Sequence, residues 1–176
     1  MSDDLTRPVA LIGSDPGEPP PGVRAVTLTG AGLDDPRMWA ERAVGDLDEP
    51  VHVVAVADDA PGALFMAAHR TERVVSLVLV DPQVDGADPD HMATMRDVTV
   101  PTLVIVSAPT QDSPIDHGQS VAGGVDNGVF VIIDGAAAPT LDTRPESVLE
   151  WASAFMSIAE GLSESRTDLI TTHDES

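Results

Sequence analysis

Short, nearly continuous apolar runs alternate along this chain with stretches of helical spacing. The runs are rich in Val, Ile and Leu, and six of them predict strands: Pro8–Ile12, Val23–Thr29, Val51–Val56, Val75–Val80, Thr102–Val106 and Val129–Ile133. Runs without polar alternation are typical of parallel strands that are covered by helices on both faces. The pattern therefore predicts an α/β three-layer sandwich with a mostly parallel sheet of about six strands.

Helical segments separate most of the predicted strands. Asp35 followed by Pro36 predicts the capped start of one helix, and residues 60–69 carry apolar side chains at helical spacing. The strongest helical pattern begins near Pro145, and Gly161 predicts its end. We expect one domain over residues 1–162, followed by a polar, flexible C-terminal tail over residues 163–176.

The connection between the first two predicted strands is unusual. Only the segment GSDPGEPPPG separates Ile12 from Val23, whereas a parallel crossover normally contains a helix. Either this crossover is a bare loop or the two strands do not pair in parallel. We favour the bare loop.

Composition narrows the possible partners. The chain of 176 residues has a formal net charge of −21, and all nine of its basic residues are Arg. Such a surface repels phosphate backbones and anionic lipids, so we expect neither nucleic acid nor a membrane as partner. There is no Cys, which excludes disulfides and thiolate metal sites. The acidic N-terminus lacks the pattern of a signal peptide, and we expect a cytoplasmic protein.

Three stretches, in this order and spacing, resemble the α/β-hydrolase superfamily. Residues 51–82 resemble its strand, nucleophile elbow, helix and next strand. Residues 100–118 resemble the strand and loop that usually carry the catalytic acid, and residues 131–146 resemble the loop of the catalytic histidine and the start of the last helix. Only 17 residues, from Gln83 to Thr99, stand where relatives often carry a cap domain. The resemblance therefore implies an α/β-hydrolase-like core without a cap.

The same resemblance implies that the catalytic triad is substituted. Ala57 stands in the position of the nucleophile, Thr110 in that of the acid and Ala138 in that of the histidine base. A methyl group can neither attack a carbonyl nor accept a proton. We therefore predict no catalytic residue at these positions, no cofactor and no metal.

Two other interpretations of the acidic residues stay open. A register slip of one residue would make Asp58 a nucleophile, giving a weak or atypical hydrolase with a relocated site. Alternatively Asp15, Asp58, Asp59 and Asp112 follow strands at the edge where open α/β sheets bind ligands, and they could bind a cation or a small molecule. The structural interpretation is that Asp58 and Asp59 cap a helix.

Other polar residues are interpreted as structural. His52 lies inside a predicted strand and is expected to pack against a neighbour, and Asp81 is a plain strand end with no base to orient. His91 lies in the short segment that replaces a cap, and it is the histidine most able to enter a pocket.

The resulting prediction is a catalytically defective, α/β-hydrolase-like protein that acts as a binding module or partner subunit. We expect a homodimer or a protein partner, because a reduced core leaves apolar surface uncovered. The interface would use a face of the sheet or the last helix around Trp151 and Phe155. The alternative is that these two aromatic residues belong to the core.

Overall fold

A computed structural model describes the backbone of residues 5–12, 24–27 and 35–171, and the side chains of 5–12, 24 and 35–165. The strands are β1 (Val9–Ile12), β2 (Ala25–Thr27), β3 (Val51–Val56), β4 (Val74–Val80), β5 (Thr102–Ala108) and β6 (Gly128–Asp134). The helices are α1 (Pro36–Gly45), α2 (Ala60–His69), α3 (Pro89–Asp97), α4 (Asp116–Gly124), α5 (Thr140–Thr143) and α6 (Pro145–Thr171). Short 3₁₀ turns, Ala57–Asp59 and Thr71–Arg73, precede α2 and β4.

All six described strands pair in parallel, in the order β2-β1-β3-β4-β5-β6. This arrangement confirms the predicted fold class. β1 and β2 are parallel neighbours, with Val9 opposite Ala25. The predicted bare loop that joins them falls on residues 13–23, which lie outside the described residues.

The sheet has a hydrophobic cluster on each face, because successive side chains of a strand point to opposite sides. On β3, Val53 and Ala55 belong to the cluster under α1, α2, α3 and α4. Val54 and Val56 belong to the cluster under α6. Every residue of β3 is buried, as expected for a strand covered on both faces.

The connection between β4 and β5 contains α3 and no further domain. The prediction that no cap is inserted at this point is therefore confirmed. The sequence did not predict α3, whose start is capped by Asp88 through a hydrogen bond from the Asp90 backbone N–H at 2.8 Å. Met95 is the buried residue of this helix.

One predicted helix end agrees with the structure and another does not. Asp35 caps α1 as predicted, accepting a hydrogen bond from the Arg37 N–H at 2.8 Å. The predicted end of the last helix at Gly161 is wrong, because α6 continues to Thr171. A single glycine costs a helix only about 1 kcal/mol. The backbone of residues 163–171 is helical and belongs to α6, whereas 172–176 lie outside the described residues, so the flexibility of the tail stays a prediction.

α6 is 27 residues long, the length of a membrane-crossing segment. Nevertheless, no helix in the described part of the chain combines the length and the apolar composition that crossing a membrane requires.

Candidate functional site

The candidate site lies at the carboxyl edge of the sheet, where the strands end. Ala57 follows β3 directly and begins the 3₁₀ turn into α2. Its φ is 50°, in the left-handed region that residues with a Cβ adopt at a cost of about 1–2 kcal/mol. Its carbonyl accepts a hydrogen bond from the Gln83 N–H at 3.0 Å. The chain thus forms a strained strand-to-helix turn of the kind that presents a nucleophile, but the side chain there is a methyl group.

Asp58 and Asp59 occupy the same turn but do not cap α2. Asp58 is exposed, and neither carboxylate accepts a hydrogen bond from the start of the helix. The capping prediction is therefore wrong. Asp59 has a helical backbone (φ −82°, ψ −9°), whereas a capping residue needs an extended one to turn its side chain back onto the helix.

Asp59 instead makes a hydrogen bond to a tryptophan that packs between α1 and α2. Its Oδ1 accepts a hydrogen bond from the Trp39 indole N–H at 2.9 Å. The indole is 2% exposed and lies against Gly62, where a Cβ would stand 2.4 Å from a ring carbon. The carboxylate of Asp59 therefore satisfies a buried donor and has a structural role.

The other two predicted triad positions lie on neighbouring loops at this edge. Thr110 follows β5 and is exposed, and its N–H donates to the Ser113 hydroxyl at 3.0 Å within the same turn. Ala138 follows β6, is exposed, and precedes Pro139 through a cis peptide bond. Hence the loops after β3, β5 and β6 carry two methyl groups and a threonine at the positions that the resemblance assigns to the triad.

The acidic residues proposed as a cation site do not gather into one. In the ranges that the structure describes, no group of three or more His, Cys, Asp or Glu side chains could hold a metal ion. Asp112 is exposed on the loop after β5, and Asp15 lies outside the described residues. Asp58, Asp59 and Asp112 are therefore not brought together as metal ligands.

Asp81 holds the carboxyl edge together. It directly follows β4 and has a φ of 47°. One carboxylate oxygen accepts from the Thr140 backbone N–H at 2.6 Å, and the other accepts from the Thr140 hydroxyl at 2.9 Å and the Ser107 N–H at 3.2 Å. Asp81 is thus more than a plain strand end, because it ties β4 to β5 and to the loop that carries Ala138. Sequence reasoning missed this role, since Thr140 is 59 residues away.

A buried polar network lies near the opposite, amino edge of the sheet. His52 on β3 contacts the Ser76 hydroxyl of β4 through Nδ1 at 2.7 Å and Glu160 of α6 through Nε2 at 3.0 Å. Glu160 also accepts from the Thr6 N–H and hydroxyl, both at 3.0 Å, and from the Arg7 N–H at 2.8 Å. His52 therefore packs against polar neighbours, as expected for a structural histidine.

Burial and hydrogen bonding determine the charges in this network. Burial lowers the pKa of His52, which the neighbouring Glu160 opposes only in part. Burial of Glu160 opposes its charge, but hydrogen bonds from His52, Thr6 and Arg7 outweigh it and hold its pKa below 4.5. A charged Glu160 then accepts from His52 Nε2–H, while His52 Nδ1 accepts from Ser76. Ser76 is fully buried, so its hydroxyl is shielded from any substrate.

His117 and His91 each contact a backbone group. The N–H of Val84 donates to Nε2 of His117 at 3.2 Å. Nδ1 of His91 is 3.2 Å from the carbonyl oxygen of Asp85, within its own segment. His91 therefore forms a local contact.

An open groove of about 1150 Å³ lies beside α6 at the amino edge. Trp151 and Phe155 line it on one side, and Val129 of β6 lines it on another. Trp151 is exposed, so its core interpretation is wrong, whereas Phe155 packs partly against the sheet.

Comparisons with known proteins identify the fold. No family model matches the sequence, and no curated protein matches it significantly. Solved structures do match. A predicted CIB-like hydrolase from Thermoplasma acidophilum is 15% identical, with 89% of each chain covered and a TM-score of 0.67. Est1E from Butyrivibrio proteoclasticus is 14% identical, with 88% of this chain and 89% of that chain covered and a TM-score of 0.67.

A third match is a single-residue variant of the meta-cleavage product hydrolase from Pseudomonas fluorescens IP01. It is 15% identical, with 88% of this chain and 92% of that chain covered and a TM-score of 0.68. The chain therefore has an α/β-hydrolase fold, in agreement with the resemblance seen in the sequence. Identities this low show the fold alone, and the site has to be interpreted from its own residues.

Proposed function

We propose that this protein is a catalytically defective member of the α/β-hydrolase fold that works as a binding module or partner subunit. The observation that carries the proposal is Ala57. It occupies a left-handed strand-to-helix turn, the conformation that exposes a nucleophile in this fold, and it offers only a methyl group.

The surroundings of Ala57 support the same conclusion. Hydrolysis by a covalent intermediate needs a base to take the proton of the nucleophile and an acid to orient that base. Ala138 has no proton acceptor in its side chain. The carboxylate of Asp81, which follows β4, accepts hydrogen bonds from Thr140 and Ser107. Asp81 therefore has a structural role.

Electrostatics at this edge also oppose ester hydrolysis. The transition state carries negative charge on an oxygen that backbone N–H groups must stabilise. Asp58 is exposed directly after Ala57 and places a carboxylate at the start of α2 instead. A carboxylate close to that oxygen would repel its developing negative charge.

A direct assay tests the proposal. The purified protein is incubated with p-nitrophenyl acetate and p-nitrophenyl butyrate, and separately with a fluorophosphonate probe. We expect release of p-nitrophenol at the rate of a denatured control and no labelled serine. Stoichiometric labelling of one serine, located by peptide mass spectrometry, would overturn the proposal.

The relocated site at Asp58 has its own test. If hydrolysis is observed, Asp58→Asn is compared with Asp112→Asn, which changes another exposed acid at the same edge. Activity lost only in Asp58→Asn would contradict our proposal and identify Asp58 as the nucleophile. Equal activity in both variants would exclude Asp58 from that role.

A further inference from the structure

We infer that the groove along α6 is a docking surface for an amphipathic helix whose apolar face is flanked by Lys or Arg. This inference rests on the proposed function as a binding module and names the surface and the chemistry of the partner.

The first observation is an apolar seam on α6. Trp151, Phe155, Ile158 and Leu162 follow one another at spacings of four, three and four residues, which places them on one side of the helix. Trp151 is 51% exposed, Ile158 64% and Leu162 53%. A seam with this spacing is the pattern by which one helix packs along another. Contiguous exposed apolar side chains usually mark an interface.

The second observation is the shape of the surface. The seam extends over about 17 Å at the ordinary rise of a helix. Val129, which is 45% exposed near the amino end of β6, also lines the groove, together with residues at the amino ends of β4 and β5. A partner helix at the usual distance of about 8–10 Å from α6 would place its apolar side chains between the seam and these strand ends. β6 is an outer strand of the described sheet, so the described strands leave this side of the groove open.

The third observation is charge, and it decides between the possible occupants. Glu72 and Glu164 are exposed at the rim of the groove, and Glu160 lies in its wall. Arg7 also lines the groove, but its guanidinium is 3.6 Å from Glu49. A second copy, also with a net charge of −21, would bring acidic rims together. A helix with basic flanks complements the rim and gains from steering by the whole protein.

A designed peptide tests the inference. The probe is a helical peptide of about 18 residues with Leu at every a and d position and Lys at the flanking positions. A matched peptide carries Glu in place of Lys. Binding is measured by fluorescence anisotropy, and by the NMR signals of the two indole N–H groups. We expect saturable binding of the Lys peptide, weakened as NaCl rises from ~0.05 to ~0.5 M. The Trp151 signal should shift, whereas that of Trp39, which is bound to Asp59, should not.

Matched variants locate the binding. Ile158→Ser removes an apolar side chain of the seam, and Met38→Ser removes an equally exposed one (57%) on α1. Glu164→Lys reverses a charge at the rim, and Asp97→Lys reverses an exposed charge at the end of α3. We expect each groove variant to weaken binding about tenfold and each control variant to change it less than about twofold.

The inference would be overturned if the Lys peptide did not bind, if the Glu peptide bound equally well, or if the control variants weakened binding as much as the groove variants. Sedimentation that shows self-association abolished by Ile158→Ser would also overturn it, because the occupant would then be a second copy. The esterase assay is independent of all these measurements. A hydrolase that still binds the Lys peptide in the groove would contradict the proposed function while leaving the docking surface in place.

Discussion

The two edges of the sheet differ in the side chains they carry and in the access of solvent to them. At the carboxyl edge, the turn after β3 has the backbone of a nucleophile elbow, yet Ala57 contributes only a methyl group. At the amino edge, Ser76, His52 and Glu160 form a connected Ser–His–Glu chain with contacts of 2.7 and 3.0 Å. The described turn at the carboxyl edge presents a methyl group, whereas the Ser–His–Glu chain at the amino edge is buried.

This difference shows that a set of residue types defines a function only together with its solvent access. The His52–Glu160 pair is buried, and the carboxylate is saturated by donors from Thr6 and Arg7. Its polar groups therefore join β3, β4, α6 and the segment before β1. Buried networks of this kind stabilise one arrangement of the core when all their members are paired.

The largest effect is expected from removing the centre of the amino-edge network. Glu160→Ala leaves the buried His52 N–H and the Thr6 and Arg7 N–H groups without their acceptor. We expect the free energy of unfolding to fall by about 3 kcal/mol. Urea denaturation measures it. Glu164→Ala, on the exposed side of the same helix, should change it by less than about 0.5 kcal/mol. Equal losses in both variants would contradict a structural role specific to Glu160.

The carboxyl edge has its own anchor, with a somewhat smaller expected effect. Asp81→Ala removes the acceptor of three hydrogen bonds from Thr140 and Ser107. We expect a loss of about 2 kcal/mol in the free energy of unfolding. Asp58→Ala, an exposed acid at the same edge, is the matched control and should be nearly neutral. A neutral Asp81→Ala would mean that the loop carrying Ala138 is held by other contacts.

The pH dependence of stability distinguishes the two edges further. The folded protein holds the pKa of His52 below 6.5 and that of Glu160 below 4.5. At these two groups the unfolded chain therefore binds more protons than the folded chain as the pH falls, so their contribution to the free energy of unfolding decreases below about pH 6.5. We expect His52→Gln to reduce the decrease between about pH 7 and pH 5. The control His69→Gln changes an exposed histidine and should retain the wild-type profile.

A smaller effect tests the strain at the elbow. Ala57→Gly removes the Cβ from a residue with a φ of 50°. We expect the free energy of unfolding to rise by about 0.5–1 kcal/mol. The control is Ala60→Gly, three residues later in α2, which should lower it by about 1 kcal/mol. Loss of stability in both variants would show that the left-handed turn stores no strain.

The smallest effect concerns the exposed acids. Because the net charge is −21, the melting temperature should rise between low salt and ~1 M NaCl. Asp58→Asn should raise it slightly at low salt and flatten this dependence. Asp59 is left unchanged, since its carboxylate is bound to Trp39. If Mg²⁺ or Ca²⁺ stabilised the protein far more than NaCl at equal ionic strength, a cation site at this edge would gain support.

Strands were the most predictable part of this fold. The predicted bounds of β3, Val51–Val56, agree with the structure. A strand buried on both faces has to be a run of consecutive apolar residues, so its ends are visible in the sequence. α3 was not predicted, because a helix with one buried residue carries no apolar stripe.

The candidate site was predictable in position but not in its supports. The resemblance placed Ala57 at the strand-to-helix turn, and the structure has it there. The hydrogen bond between Trp39 and Asp59 joins residues 20 positions apart, and that between Asp81 and Thr140 joins residues 59 apart. No local pattern encodes such pairs, because they depend on how the helices and loops pack over the sheet.

The sequence by itself predicted the parallel sheet, because its strands are runs of consecutive apolar residues, and it placed Ala57, Thr110 and Ala138 at the positions that the resemblance assigns to the triad. Only the tertiary structure decided the two faces of α6. One row, at a spacing of four residues, is buried: Val148, Ala152, Met156 and Glu160. Another row contains the exposed Trp151 and Ile158. Both rows are rich in apolar residues, so helical periodicity cannot choose between them. The row with Glu160 packs against the sheet, because His52 lies buried in β3 and makes a hydrogen bond to Glu160, 108 residues away in the sequence.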